Sequence, residues 1–455
     1  MSLESVLNSS ASGLDSVSRR IATVSQNVAN AGTAGYVRET VDVNSVAAAG
    51  QGMGVRTGVA SRSVDERLQA DALAASATVV GQQTQSDALA SIDAASGTPG
   101  SGFDISSLLG TLRDGFSKLQ SDPSNAAQQR AVVDGADALA RGVNTLGKAV
   151  SDARQSAQDS AVSDVAAANS ALHDIGTLSD QIIAAKNNGA STADLEDQRD
   201  RSIRTLSDLT GARVLRQANG DALAIAGGLV LPLPSTTGPL ALGSATLAPD
   251  TPGAAVPQLS LDGVPVPGQP VGGRIGANLA LRDSTLPALQ GGVDQFAQSL
   301  AARFNLQGLP LFTGADGTVP AVPAPGFAQN LQVSAAAVAA PSITRDGTGP
   351  AGAAGSTTLI NNVLDKVLGS APGSLVATAS ALVSRNAGLS ADAAGKLATG
   401  QAVQASLDKK LSDGTGVSLD TETADLVRLQ NAYAANAKVI TAAQAMWTQL
   451  LDAVK

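Results

Sequence analysis

Both ends of the chain carry apolar residues at alternating spacings of four and three, a pattern that few folds can satisfy. At the N-terminal end Leu3, Leu7, Ser10, Leu14, Val17, Ile21, Val24 and Val28 follow it. At the C-terminal end Leu426, Gln430, Tyr433, Ala437, Ile440, Gln444, Trp447, Leu451 and Val454 do the same. Such a repeat is the a/d seam of a helix with one apolar stripe, roughly 40 Å long for the N-terminal run. Each stripe has to be buried against a partner, and the other terminus is the simplest one. The C-terminal helix is expected to start after Gly416-Val417-Ser418-Leu419. Asp420 would be its cap, and Glu422 in the first turn would face the positive helix end.

The interior is read mostly as helix. Residues 64–96 form an Ala-rich helix through Leu68, Leu73, Leu89 and Ile92, and Ile105 to Leu119 form another that stops at Asp122-Pro123. A long helix runs through Leu139, Val143, Leu146, Leu172, Ile175 and Ile182 to a break at Asn187-Asn188-Gly189, and one more spans Thr192 to Leu209. Aromatics are only 2% of the 455 residues while apolar residues are 43%, chiefly Ala, Val and Leu. Small side chains separate backbones little, so closely packed helices are expected rather than a thick interior. Composition shifts between Pro232 and Pro270, which hold nine of the 19 prolines. Proline removes ladder donors, so that stretch reads as a small irregular β module. Helical spacing returns at 274–306, a loop-rich stretch covers 308–355, and helices follow near 356–369 and 374–412. The expected fold is mainly α: paired N- and C-terminal coiled-coil-like helices, an elongated helical-bundle domain and a small inserted β-rich domain. The corresponding divisions are 1–45 with 415–455, 46–212 with 273–414, and 213–272.

Signatures of chemistry are sparse. The net charge is −9 with basic residues scattered, so no nucleic acid is expected as a partner. Cysteine is absent, which excludes disulfides, thiolate catalysis and Cys-ligated metal. The first ten residues lack a basic segment followed by an apolar one, so no cleaved signal is expected. No apolar run approaches the ~20 residues needed for membrane insertion. The single histidine, His173, falls inside the long helix and reads as structural. Gly50, Gly52, Gly54 and Gly58 resemble a phosphate loop only superficially: no strand is expected before them, and no helix starts on them. Gly349 to Ser356 has no Lys before the Ser, and no G-x-S-x-G occurs. Glu196, Asp197 and Asp200 stand beside Arg199 and Arg201 on one helix, where solvated i,i+3 and i,i+4 pairing accounts for them. No enzyme, cofactor or metal is expected.

The segment Gln26-Asn27-Val28-Ala29-Asn30-Ala31-Gly32-Thr33-Ala34-Gly35-Tyr36-Val37-Arg38 resembles the N-terminal signature of the flagellar axial proteins, the rod, hook and hook-associated family. Physically, Asn30 and Gly32 are expected to end the first helix in left-handed geometry. Gly35 permits a second turn, and Tyr36 to Val43 continues extended. Asn27, Asn30, Thr33, Gly35, Tyr36 and Arg38 carry this half of the resemblance. The other half lies in Gly416 to Asp420, Gln430, Tyr433, Ala435-Asn436-Ala437-Lys438-Val439 and Ile440. Between them, Leu195 to Asp200, Asn219-Gly220-Asp221, Gly272-Gly273-Arg274-Ile275, Arg282-Asp283 and Phe304-Asn305 are similar to the hook-associated branch. Hook and rod proteins pass from the N-terminal motif to β-rich domains, whereas residues 64–210 here read as helix. The resemblance is thin over 232–270 and 308–355.

What the resemblance implies is a structural subunit joining hook to filament outside the cell, exported by the flagellar type III system without signal cleavage. Implied partners are the hook protein, a second hook–filament junction protein and further copies in a helical ring. An export chaperone is implied on the C-terminal helix, over Leu426 to Val454. The terminal helices would line an inner tube. Leu14, Val17, Ile21 and Val24 are expected to meet Ile440, Trp447 and Leu451, with Val28 and Tyr433 on the same stripes. A hook or rod subunit, and a secreted coiled-coil adhesin or effector, are the other readings.

Overall fold

Long helices dominate because alanine and leucine recur at helical spacing with few breakers between them. The computed structural model describes all residues except 1–2, 34, 49–50, 99, 234–237, 252, 267–270, 350–354, 372 and 453–455. Ala34, Gly50, Val454 and most of Gly349 to Ser356 therefore lie outside the described residues, as does the side chain of Leu3. In chain order the elements begin with α1 (Leu3–Asn30), β1 (Glu39–Ala48), β2 (Gln51–Arg62), α2 (Glu66–Ser96), α3 (Ile105–Ser121), α4 (Ala126–Asn187) and α5 (Ala193–Thr210). Short strands follow: β3 (Arg213–Arg216), β4 (Ala222–Ala226), β5 (Leu229–Leu231), β6 (Leu240–Ala241), β7 (Ser260–Leu261) and β8 (Val264–Pro265). Then come α6 (Gly273–Ala280), α7 (Leu286–Leu306), β9 (Phe312–Thr313), β10 (Gln332–Val333), α8 (Ala335–Ala339), α9 (Ile343–Asp346), α10 (Thr358–Asn362), α11 (Leu375–Thr415) and α12 (Leu419–Asp452).

One unit comprises Met1–Ala77, Ala167–Pro239 and Gln401–Lys455. Here α1 and α12 run antiparallel, with Val17, Val24 and Leu429 at the centre and Ile21, Leu426 and Ala432 packed around them. The hairpin β1–β2 lies along α1, its Val55 N–H donating to Ser12 Oγ at 3.1 Å. Gly54 is required there. Its φ is +106°, and a Cβ would collide with Ser12 and the backbone of Ser9. Helix α5 ends at Gly211 in left-handed geometry, and the chain then folds into the antiparallel sheet β3-β4-β5.

The other unit comprises Thr78–Ala166 and Leu240–Gly400. Its core is a single apolar cluster. Leu109, Leu112, Phe116 and Leu119 of α3 meet Leu139, Val143 and Leu146 of α4 and Leu300 and Phe304 of α7 in one buried cluster. Phe304 stacks at 6.0 Å from Phe116 and edge-on at 5.3 Å from Phe312. Buried Ala136, Ala140, Ala297 and Ala301 let these helices approach closely. The proline-rich stretch carries the small sheet β6-β7-β8. Beside it, Gln155 binds the carbonyl of Ala245 and the N–H of Leu247, and Gln158 binds the carbonyl of Gly243. Side-chain amides here do the work of missing ladder partners.

Several expectations need correction. Residues 39–62 form a strand pair, so a strand does precede Gly52, Gly54 and Gly58; these glycines continue into β2 instead of opening a helix. The left-handed residue after α1 is Gly35, at φ +80°, and neither Asn30 nor Gly32 is left-handed. Helix α12 begins one residue before Asp420, and the capping oxygen is Ser418 Oγ, 3.4 Å from the N–H of Thr421. Residues 213–272 do hold short strands, but as two three-stranded sheets belonging to different units rather than as one inserted domain. Each sheet pairs only strands that are neighbours in sequence. The stretch 308–355 also contains β9–β10 and the short helices α8 and α9.

Candidate functional site

The signature residues converge where α1 ends, β1 begins and α12 starts. Asn27 is 1% exposed and uses both ends of its amide. Its Oδ1 accepts from Tyr36 Oη at 2.9 Å and from the N–H of Glu39 at 2.9 Å. Its Nδ2 donates to the carbonyl of Glu39 at 3.0 Å and to Glu422 Oε2 at 3.2 Å. Glu422 is fully buried, and its other oxygen accepts from Arg38 Nε at 2.5 Å. Arg38 also approaches Asp425 at 3.7 Å, and its backbone N–H donates to Thr415 O. One buried carboxylate thus ties the N-terminal motif to the first turn of the C-terminal helix. Glu422 was expected only to face the helix end; its partners lie 384 and 395 residues away.

A second cluster sits on α5. The i,i+3 and i,i+4 reading of Glu196, Asp197 and Asp200 fails, because Asp197, Arg199 and Asp200 are buried and their partners are remote. Asp200 accepts from Arg62 Nη2 at 2.6 Å, from Arg216 Nη2 at 2.6 Å and from Gln69 Nε2 at 2.9 Å. Arg62 Nε stands 2.7 Å from Asp197 Oδ1, a contact of charges rather than an aligned hydrogen bond, and Glu196 lies 3.7 Å from Arg62. Asp197 Oδ2 accepts from the N–H of Val37 at 3.4 Å, which links this cluster to the signature loop. Arg199 turns the other way, to Ser179 Oγ and the carbonyl of Gly220.

Burial governs the electrostatics. It pushes the Glu39 carboxyl up, helped by Asp194 and Asp197 and opposed by Arg62. It likewise raises Asp197 against the pull of Arg62. The Tyr36 hydroxyl is driven above its ordinary value by burial and by Glu39, Asp197, Asp194 and Glu422. Burial would raise Asp200 too, but Arg216 and Arg62 overcome it and hold that carboxyl below its ordinary value. These are the shifts of a charged structural joint. Among the described residues there is no group of His, Asp or Glu arranged to hold a metal ion. His173 lies exposed on α4.

Of the other signature residues, Thr33 donates to Asn30 Oδ1 at 3.2 Å, and Asn30 donates back to Gln26 O at 3.1 Å. Asn30, Thr33, Gly35 and Tyr36 line one side of a groove of about 610 Å³, and Thr415 to Ser418 line another. Asn436 lies against Gly13, and Ala437 is half-buried. Within the chain the seams are paired in a different register from the one expected. Val17 and Val24 sit on Leu429, not on Ile440, Trp447 and Leu451. The joint at Asn27 and Glu422 sets an antiparallel alignment that places the 440s opposite the start of α1. Ser10 is buried, Leu14 and Ile21 are half-buried and Val28 is exposed. Trp447 is 18 residues from Leu429, five whole helical turns, so it shares that face, yet it is 52% exposed along with Tyr433 and Leu451.

A profile of the flagellar hook-associated protein FlgK helical domain matches residues 89–313. A profile of the flagellar basal body rod FlgEFG protein C-terminal region matches residues 412–453. Flagellar hook-associated protein 1 of Salmonella typhimurium is 29% identical over 317 residues, covering 67% of this chain and 56% of that protein. The protein of the same name from Escherichia coli K12 is 26% identical over 317 residues, covering 67% and 57%. The chain thus spans little more than half the length of these relatives. The flagellar hook junction protein FlgK from Burkholderia pseudomallei aligns at a TM-score of 0.44 and 23% identity, over 56% of this chain and 46% of that one. An overlap of that size adds nothing to the sequence matches.

Terminal helices bearing an axial signature at each end, with a matching helical domain between them, define a structural component of the bacterial flagellum. Within that class the chain is similar to flagellar hook-associated protein 1 and, over residues 89–313, to the helical domain of FlgK. No described helix is long and apolar enough to cross a membrane.

Proposed function

We propose that this chain is a non-enzymatic subunit that joins the hook to the filament, leaves the cell through the flagellar export system and assembles through α1 and α12. Residues 1–45 with 415–455 would form its tube-lining part. The observation that carries the reading is the joint at Asn27, Arg38 and Glu422, which makes one antiparallel pair of the two chain ends while Tyr433, Trp447 and Leu451 stay exposed. A helix pair with apolar residues left over is built for further packing. The neighbours that would cover them are copies of the same chain in a helical ring, the hook protein on one side and a second junction protein on the other. Before assembly an export chaperone would occupy the same face of α12.

The test is electron microscopy and motility of a strain whose chain lacks residues 420–455. Intact hooks without filaments, with filament subunits lost to the medium, support the junction role. Normal filaments would sink it. Missing hooks would move the subunit down the axis to the hook or rod.

A further inference from the structure

Five of the six phenylalanines, Phe116, Phe296, Phe304, Phe312 and Phe327, are buried. The sixth, Phe103, is 84% exposed. It is not on slack chain. Gly97, Gly100 and Gly102 around it all take positive φ, at 75°, 83° and 86°. The fully buried carboxylate of Asp104 accepts from the N–H of Gly100 at 3.0 Å, the N–H of Ser107 at 3.0 Å and Ser107 Oγ at 2.6 Å. One side chain therefore clamps the turn to the start of α3 and holds an apolar ring in water. A pre-ordered ring loses little freedom on docking, and aromatic anchors dominate interface energies.

The same unit contains a cavity of about 200 Å³ with walls of Val150, Pro249, Pro287, Pro323 and Pro325. Three buried polar residues, Arg154, Gln290 and Asp294, also line it. The Arg154 guanidinium donates to two carbonyls, Arg282 O at 3.1 Å and Ala248 O at 3.3 Å, and no carboxylate hydrogen-bonds it among the described residues. Gln290 is 7% exposed; its amide N–H donates to both oxygens of Asp294, and its Oε1 has no hydrogen-bond partner among the described residues. A cation suits the face of an aromatic ring, a bare carbonyl oxygen suits its edge, and proline rings make apolar walls.

We propose that Phe103 of one copy of this chain seats in the cavity between Arg154 and Gln290 of a second copy. Knob and socket are different patches, so the contact is head-to-tail and propagates from copy to copy instead of closing as a pair. Tyr433 and Trp447, the other exposed aromatics, lie on the long helix α12 and not on a clamped turn. The inference goes beyond the junction role and does not depend on it.

The chain lacks cysteine, so introduced thiols are its only ones. Full-length Ser101→Cys and Ser151→Cys chains, the first keeping Phe103 beside its thiol and the second altered at the rim of the cavity, are mixed and oxidised with a glutathione redox buffer. Phe103→Ala is measured alongside by sedimentation velocity. The mixed disulfide is expected to exceed both like-with-like dimers, and Phe103→Ala is expected to weaken self-association about thirty-fold, as for an interface hot spot. Random proportions of the three dimers, or no dimer at all, would overturn the proposal. So would photo-crosslinking from position 151 that captures a segment holding Tyr433 or Trp447.

Discussion

Replacing Asn27 with alanine removes four hydrogen bonds at the signature joint while leaving the apolar seam of α1 untouched. Two of these satisfy the backbone N–H and carbonyl of Glu39, a buried residue at the start of β1. The Tyr36 hydroxyl is half-buried and can turn to water, and Glu422 keeps Arg38. The cost is therefore set by the two backbone groups, at about 1–3 kcal/mol for each one left unpaired. Allowing for relaxation, the loss should come to about 2–4 kcal/mol. Native-state hydrogen exchange at the Glu39 amide reads it directly, because local opening exposes that N–H. Two kcal/mol corresponds to exchange about thirty-fold faster. The amides of Leu112 and Phe304 in the other unit should keep their protection. Asn30→Ala is the control, since among the described residues its side chain bonds to Gln26 and Thr33 and to nothing on β1. If Asn27→Ala exchanges no faster than Asn30→Ala, the joint does not hold β1 to α1 and the argument fails.

Four further outcomes follow from the same geometry. Asp200→Ala leaves Arg62 and Arg216 without their shared carboxylate and should cost about 3 kcal/mol in urea unfolding, the low end for a broken buried pair, because Arg62 keeps Asp197. The Asp200 contribution is present above the ordinary aspartate value and should vanish as pH falls through its lowered folded value. Glu39→Gln should act in the opposite sense. A raised carboxyl means that its charge opposes folding at neutral pH, so the variant should be more stable at pH 7, with the difference disappearing in thermal melts below about pH 4. Phe304→Ala empties the centre of the aromatic trio and should cost about 3–5 kcal/mol by denaturant titration. Trp447→Ser with Leu451→Ser should leave monomer unfolding almost unchanged but reduce filament attachment in motility plates; a large loss of monomer stability would instead place those residues inside the fold.

Helix positions were legible because periodicity is a local property. The stop at Asp122-Pro123 and the break at Asn187-Asn188-Gly189 mark the ends of α3 and α4 in the structure, and the helix expected from Thr192 to Leu209 ends one residue later, at Thr210. The hairpin β1–β2 was missed although Val41 and Val43, then Met53, Val55, Thr57 and Val59, do alternate. The glycines among them interrupt the alternation and mask the second strand. On α12 the seam was placed beside the true face, because Tyr433 and Leu451 look like core residues and Glu422 and Asn436 do not.

The amino-acid sequence alone determined the helical class, the helix boundaries, the two apolar termini and the family signature, since each depends on residues within a few turns of one another. Only the tertiary structure decided that Glu422 binds Asn27 and Arg38, and that Asp200 is shared by Arg62 and Arg216. A charged residue on a helix reads as solvated until a partner far along the chain is brought to it. Burial then makes that pairing obligatory, because an unpaired charge away from water costs more than the fold can spare.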